Sequence, residues 1–541
     1  MPRIVINGRE IECRSGIRVL QAAIEAGIEV PHYCYHPGLS VVASCRLCLM
    51  EQKIPDPKTR EMVWSPKLVP SCQTPVKDGM EVRFDTERVR RNQRRVMEHY
   101  LLNHPLDCPI CDQAGECWLQ DYSRRFGAAE SRMVDEKIKN PKKDVGPRTL
   151  LYQDRCVLCT RCVRFCREIA GTGELCVVSR GNRCEIDAFP GMPLANKLQG
   201  NVVDICPVGA LLDKDFLFQQ RVWLLRSVPS ICPGCSTGCA IHIDQNENRV
   251  YRLRPRYNPG VNDWWMCDEG RFGWKHIHDA RRVTRPVVRR GAAEEPVGWD
   301  AIPAILRFRF GEVIREHGGR SVGAQLSPMM ACEEAWLLTR FLREIAPEAV
   351  LALGPVPAEG GDEHFPVGTP PDQAKFVIRA EKAPNRRGVE MVLRAAGGNV
   401  VEPDVLWGKV GRGEMAAVWV VGGYLRPDWP GKELGGLLRK AAFSVVQDIF
   451  ANELTAAASV VLPACAWAER EGTFVNAGGL IQPFRRAINP PDGARSDGQY
   501  LFEIAGCSGL YDGRRVREMM ARDMPDCATI HVPPPAPKFA H

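Results

Sequence analysis

The sequence predicts a multidomain chain, α+β in its first half and α/β in its second. Three observations lead there. The chain has 541 residues, against roughly 100–200 for one domain. Its hydrophobic content of 45% supports ordinary cores and excludes a disordered or fibrous protein. Of its 23 cysteines, nineteen lie at or before Cys267, and only Cys332, Cys465, Cys507 and Cys527 lie beyond. The net charge of +7, from 72 basic and 65 acidic residues, is mild for this length and argues against a nucleic-acid partner.

The opening MPRIVINGREIEC lacks a basic then apolar leader. No stretch approaches the roughly 20 apolar residues of a membrane helix, so direct membrane insertion is not expected. A reducing, cytoplasmic setting follows, where closely spaced cysteines are metal ligands more often than disulfides.

The elements read in order. Ile4–Ile6 and Glu10–Cys13 flank Asn7-Gly8 as a hairpin. Ser15 precedes the helical pattern Val19, Leu20, Ala23, Ile24. Glu87–Leu102 reads as a helix whose Arg88, Arg90, Arg91, Arg94 and Arg95 form a solvated face. KIKNPKK (137–143) and RRVTRPVVRR (281–290) read as linkers. Helical stretches near 300–316 and 331–345 then alternate with strand-like runs at Ala416–Val421 and Phe443–Gln447. The tail HVPPPAPKFAH reads as extended or disordered. The domain boundaries expected are 1–86, 87–130, 131–226, 227–284, 285–527 and a flexible 528–541.

Four ligand sets stand out. Cys34-x10-Cys45-x2-Cys48-x23-Cys72 has three thiolates in one loop and a distant fourth, the plant-type [2Fe–2S] arrangement of a β-grasp ferredoxin. A zinc knuckle at Cys45-x2-Cys48 is the bland alternative. His104-x3-Cys108-x2-Cys111-x5-Cys117 lacks a fourth cysteine. A neutral imidazole from His104, rather than from His99, completes a [4Fe–4S] set of lower negative charge.

Cys156-x2-Cys159-x2-Cys162-x43-Cys206-Pro207 is a ferredoxin cubane signature. Cys166, Cys176 and Cys184 have no partner set and read as non-ligands. Cys13 reads as a small buried apolar residue. Cys232-x2-Cys235-x3-Cys239-x27-Cys267 supplies a fourth set just before a strand. Fifteen cysteines and one histidine divide into four sets of four, implying one [2Fe–2S] and three [4Fe–4S] clusters. No P-loop, dinucleotide fingerprint or Ser/His/Asp set is visible, so no catalytic residue is expected and electron conduction is the indicated work.

The order of these sets, with ASCRLCLME, NHPLDCPICDQAGECWLQD, RCVLCTRCVRFC, GNVVDICPVGAL and ICPGCSTGC, resembles the large iron–sulfur subunit family of respiratory complex I, NADH:quinone oxidoreductase. LTAAASVVLPACAWAEREGTFVNAGGLIQPF resembles that family's vestigial molybdopterin-oxidoreductase domain, here shortened. The resemblance implies a truncated molybdopterin-oxidoreductase-like α/β region with no molybdopterin. It also implies a relay from NADH-reduced flavin towards quinone, coupled in the complex to proton translocation. Electrons would pass through the Cys34, Cys156 and His104 sets, with the Cys232 set off the path.

Implied partners are an NADH-binding flavoprotein subunit, a small [2Fe–2S] subunit and quinone-proximal iron–sulfur subunits. The implied location is the cytoplasmic face of the inner (plasma) membrane, as a peripheral part of the complex. The long gap between Cys48 and Cys72 departs from the family by adding a loop at Pro55–Pro66. Rival readings are a Mo/W-dependent NAD-linked formate dehydrogenase subunit, for which Cys332 would be the metal ligand, and an electron-input subunit of an NAD-linked hydrogenase. A zinc-bound scaffold without redox work is a third.

Overall fold

The computed structural model describes residues 1–291, 293–426 and 433–536. The chain divides into two units. One is built on Met1–Leu225 and includes His364–Phe376; the other comprises Arg226–Glu363 and Val377–Pro534. No described helix is long and apolar enough to cross a membrane.

In the first unit, Arg3–Ile6 and Arg9–Glu12 form the expected hairpin about Asn7 and Gly8. Glu81–Arg83 pairs parallel to Arg3–Ile6 and antiparallel to Leu49–Pro55. The resulting sheet runs Arg9–Glu12, Arg3–Ile6, Glu81–Arg83, Leu49–Pro55, Met62–Trp64. Across it lies the helix Val19–Glu25, which starts after Arg18 rather than at Ser15 and buries Val19, Leu20, Ala22 and Ala23.

The long gap between Cys48 and Cys72 is a hairpin extension, with Lys53 opposite Trp64 and Pro55 opposite Met62. Its turn is made by Asp56, whose carboxylate accepts from the Lys58 and Thr59 amides. Glu87–Leu101 is helical, capped by Thr86, with Val89, Gln93 and Met97 inward and the arginines outward. Lys142–Asp144, overlapping the end of the expected 137–143 linker, instead pairs with Thr149–Tyr152.

In the second unit, Arg226–Ile231, Ala240–Asn246 and Arg249–Pro255 form an antiparallel sheet. Beyond it an eight-stranded sheet carries helices on both faces, each face with its own apolar core. Its parallel strands run Val460–Pro463, Phe443–Asp448, Ala417–Val421, Val322–Leu326, Val350–Leu353, Val400–Val401. The strand order reverses between Val322–Leu326 and Ala417–Val421, the doubly wound pattern. Helices Ile302–His317 and Cys332–Ile345 match the sequence reading.

Residues 281–290 are not simply a linker. Val287–Arg290 pairs with Val460–Val461 and with Ala293–Pro296, adding an antiparallel edge. Arg282 is buried against Glu469, with Nη2 to Oε2 at 2.7 Å. The tail differs too. The His531 amide donates to the Ile481 carbonyl at 2.7 Å and its ring meets Asn258, while 537–541 lie outside the described residues.

Candidate metal centres

The structure gathers Cys34, Cys45, Cys48 and Cys72 under the β-grasp sheet, all buried. The Sγ atoms of Cys34 and Cys45 lie 3.6 Å apart, and the Tyr33 amide points at Cys45 Sγ. Ser71 binds the Cys48 carbonyl through its hydroxyl at 2.7 Å, which brings the distant Cys72 into the loop. Ala43 and Arg46 take left-handed backbone conformations, at a cost of about 1–3 kcal/mol each, and turn the chain around the sulfurs. Hydrogen bonds from Cys45 and Cys72 hold the Cys34 thiol far below its ordinary range. Contacts with Cys34 and Cys48, then burial, push Cys72 far above it.

Cys156, Cys159, Cys162 and Cys206 line one pocket with Val157, Ile186, Val208 and Leu211 as its apolar wall. Burial pushes the Cys159 thiol up to about 11 and Cys156 and Cys162 higher. Such thiols stay neutral until a metal displaces their protons. Leu158 and Thr160 are again left-handed, and the Leu158 amide donates to Cys156 Sγ at 3.4 Å.

The second set is more open. Cys108 is exposed, Cys111 buried and Cys117 intermediate. Cys111 and Cys108 each raise the Cys117 thiol, after the larger effect of burial, to about 12. Arg155 Nη1 donates to Cys111 Sγ at 3.5 Å while Nη2 pairs with Asp107 at 2.7 Å. Arg221 donates to the Cys111 and Cys108 carbonyls, both at 3.2 Å. His104 is neutral at pH 7, its pKa lowered to about 4 by desolvation and by Arg155 and Lys137. That is the form which ligates metals. His99 is exposed on its helix, its ring against Tyr100.

In the second unit, Cys232, Cys235 and Cys239 of the fourth set lie between Arg226–Ile231 and Ala240–Asn246. The Cys232 amide bonds the Cys239 carbonyl at 2.9 Å, and Cys267 caps the helix Asp268–Phe272 with Gly270 N at 3.4 Å from its sulfur. A Cβ on Gly270 would lie 2.8 Å from Cys232 Sγ and 3.6 Å from Cys267 Sγ, so only glycine fits this cradle. The loop is pinned from the back of the chain. Asn476 donates to the Thr237 carbonyl, Gln482 to Gly238, and Trp467 to Ile231. Burial raises Cys232 to about 12.

Among the described residues no three His, Cys, Asp or Glu side chains converge on a single ion. A polynuclear cluster asks for something else, separate ligands spread over several irons, two thiolates to each iron in a [2Fe–2S] cluster and one to each in a cubane. Sulfur sets of which only Cys108 is exposed, with amide donors aimed at the Cys34, Cys156 and Cys232 sets and the Gly270 cradle, fit that demand.

The other cysteines disperse. Cys13 Sγ faces the Pro2 carbonyl, Cys176 that of Asp187 and Cys184 that of Ser179. Cys166 opens a π-helical turn, Cys166–Ala170. Cys332 lies against Asn385, and Cys465 against the Arg495 carbonyl. Sequence reasoning missed the arginines Arg155, Arg161 and Arg164, whose only signal was basic residues inside a cysteine run. Arg164 Nη2 donates to the Cys34 carbonyl at 2.5 Å and the Cys159 carbonyl at 3.2 Å, joining two sets.

Comparison with known proteins follows the same order of sites. Residues 2–87 match a 2Fe-2S iron-sulfur cluster binding domain, and 93–132 an NADH-ubiquinone oxidoreductase-G iron-sulfur binding region. Residues 146–212 match the NADH-quinone oxidoreductase subunit 3 ferredoxin-like domain. Residues 225–279 match the molybdopterin oxidoreductase Fe4S4 domain, and 398–506 match molybdopterin oxidoreductase. The G subunit of NADH-quinone oxidoreductase from Rickettsia bellii is 37% identical over 346 residues, 64% of this chain and 48% of that protein. The 75 kDa subunit of NADH-ubiquinone oxidoreductase from Reclinomonas americana is 35% identical over 345 residues, 64% and 48% of the two chains. The chain thus spans about half the length of these curated relatives. A chain of an NAD+-reducing [NiFe]-hydrogenase structure is 27% identical, with TM-score 0.36, covering 41% of this chain and 91% of that one.

Proposed function

We propose that this chain, homologous to the G subunit of NADH-quinone oxidoreductase over 64% of its length, is an electron-conducting iron–sulfur subunit of such a complex. It takes electrons from an NADH-oxidising flavoprotein and hands them towards quinone, and it holds no substrate site of its own. The observation that carries this reading is the gathering of three ligand sets in one unit, tied by arginines that reach from one set to the next.

Cys34, Cys45, Cys48 and Cys72 would hold a [2Fe–2S] cluster. His104, Cys108, Cys111 and Cys117, then Cys156, Cys159, Cys162 and Cys206, then Cys232, Cys235, Cys239 and Cys267 would hold [4Fe–4S] clusters. When bound, these groups supply one-electron carriers. The chain's own side chains position and insulate them. Val157, Ile186, Val208 and Leu211 keep water from the Cys156 set, Tyr33 and Tyr35 are buried beside Cys34, and Arg155 and Arg164 donate to sulfur and to ligand carbonyls.

We read the back of the second unit as holding no pterin. At the strand ends where a doubly wound sheet binds ligands, Tyr424 is 1% exposed and donates to the Pro355 carbonyl at 2.8 Å. A Cβ on Gly354 would meet its hydroxyl at 2.9 Å. Cys332, the first residue of helix Cys332–Ile345, is buried in the apolar core, an inert place for a metal ligand. The partners proposed are the flavoprotein, a small [2Fe–2S] subunit and quinone-proximal iron–sulfur subunits, on the cytoplasmic side of the membrane. The test is complementation: membranes lacking the chain should lose NADH:quinone reductase activity and regain it with the chain. Molybdenum in the purified chain, with activity lost in Cys332→Ser, would overturn it in favour of the formate dehydrogenase reading.

A further inference from the structure

Arg161 stands between Cys159 and Cys162 and is the first residue of the helix Arg161–Phe165, entered through the left-handed Thr160. Its side chain is wholly interior, at 1% exposure. One guanidinium nitrogen donates to the Ile205 carbonyl at 3.1 Å and the other to the Tyr35 carbonyl at 2.5 Å. The same group lies 4.7 Å from the centre of the Trp118 ring. Ile205 precedes Cys206, Tyr35 follows Cys34, and Trp118 follows Cys117. A single cation therefore touches the chain neighbours of ligands from three different sets.

A guanidinium cannot shed its proton, and burying it is costly without negative charge nearby. Carbonyl dipoles and a ring face supply part of that. Cluster-bound thiolates would add to it, and each cluster would gain a further negative charge on reduction. Resting on the iron–sulfur reading above, we propose that Arg161 is a positioning residue shared by three clusters. Its planar fork fixes the Cys34 loop and the Cys206 segment in register. Its charge stabilises the reduced form of the Cys34, His104 and Cys156 sites together, so one substitution moves three potentials in the same direction.

The test uses the full chain, anaerobically reconstituted, as parent, Arg161→Lys and Arg161→Gln, with iron content followed by EPR-monitored redox titration. In Arg161→Gln the reduced-to-oxidised ratio of the three clusters at a fixed potential should fall about tenfold, which is about 59 mV for one electron. The Cys232 set, whose residues are not among these contacts, should stay put. Arg161→Lys keeps the charge and should hold all three within about twofold. Unchanged potentials in Arg161→Gln with iron retained would overturn the proposal, as would a shift confined to one cluster. If Arg161→Gln loses iron, Arg161→Lys decides: retained iron and parental potentials support the shared charge, and the same loss overturns it. A parent that binds no iron would instead refute the iron–sulfur reading itself.

Discussion

Replacing Arg155 with Met should lower the reduction potential of the His104 set and leave the others nearly alone. Arg155 is 3% exposed and its Nη1 sits 3.5 Å from Cys111 Sγ. A bare unit charge at that distance, at an effective dielectric of about 20, would be worth about 5 kcal/mol. The charge is not bare. Asp107 Oδ2 lies 2.7 Å from Nη2 and is one-third exposed, so most of the monopole is offset. What remains is a charge-assisted hydrogen bond to sulfur, about 1.5 kcal/mol. At about 1.4 kcal/mol and 59 mV per tenfold for one electron, the potential should fall by about 60 mV. Asp107→Asn, which removes the offsetting charge, should raise it. The assay is an EPR redox titration of the reconstituted chain. An unchanged midpoint in Arg155→Met, with the cluster intact, would refute the reasoning.

The remaining predictions use other sites. His104→Cys adds a negative charge to the first shell and should lower that cluster's potential, whereas His104→Ala should cost about four irons and spare the other signals; intact cubane signals in His104→Ala would reassign the ligand. Gly270→Ala places a methyl 2.8 Å from Cys232 Sγ and should remove the Cys232 cluster alone, read as a drop of about four irons. Asp244, 2% exposed, receives Arg252 and Arg254 at 2.8 Å each. Burial would raise its pKa, but the two arginines hold it below the ordinary carboxylate range. Its stabilisation is therefore complete above the unfolded value near 4 and lost on acidification below it. Asp244→Asn should cost about 2–3 kcal/mol at pH 7, less than a wholly buried pair because Arg254 is 28% exposed; a parental thermal unfolding midpoint would contradict this.

The cysteine spacings were legible because they are local. Three residues of each set lie in one loop, and a loop around sulfur demands short, regular gaps. The α/β alternation of the second unit was legible for the same reason, since Ala417–Val421 and Phe443–Asp448 carry their burial in their own composition. What escaped reading depends on distant partners. Residues 281–290 looked like a charged linker because nothing nearby shows that Val287 and Val288 pair with Val461 and Val460, or that Arg282 meets Glu469 across 187 residues. His531 is tied to Asn258 across 273 residues. Arg161 is the sharpest case. Its donors reach carbonyls 126 and 44 residues away, so a basic residue in a cysteine run gave no hint of an interior charge.

Iron and acid-labile sulfide per chain, measured on the anaerobically reconstituted protein beside its EPR spectrum after reduction, test the central claim most directly. Four sets of ligands predict about 14 irons with an equal number of sulfides, resolved as one binuclear and three cubane signals. About four metals per chain, all zinc and without labile sulfide, would contradict it.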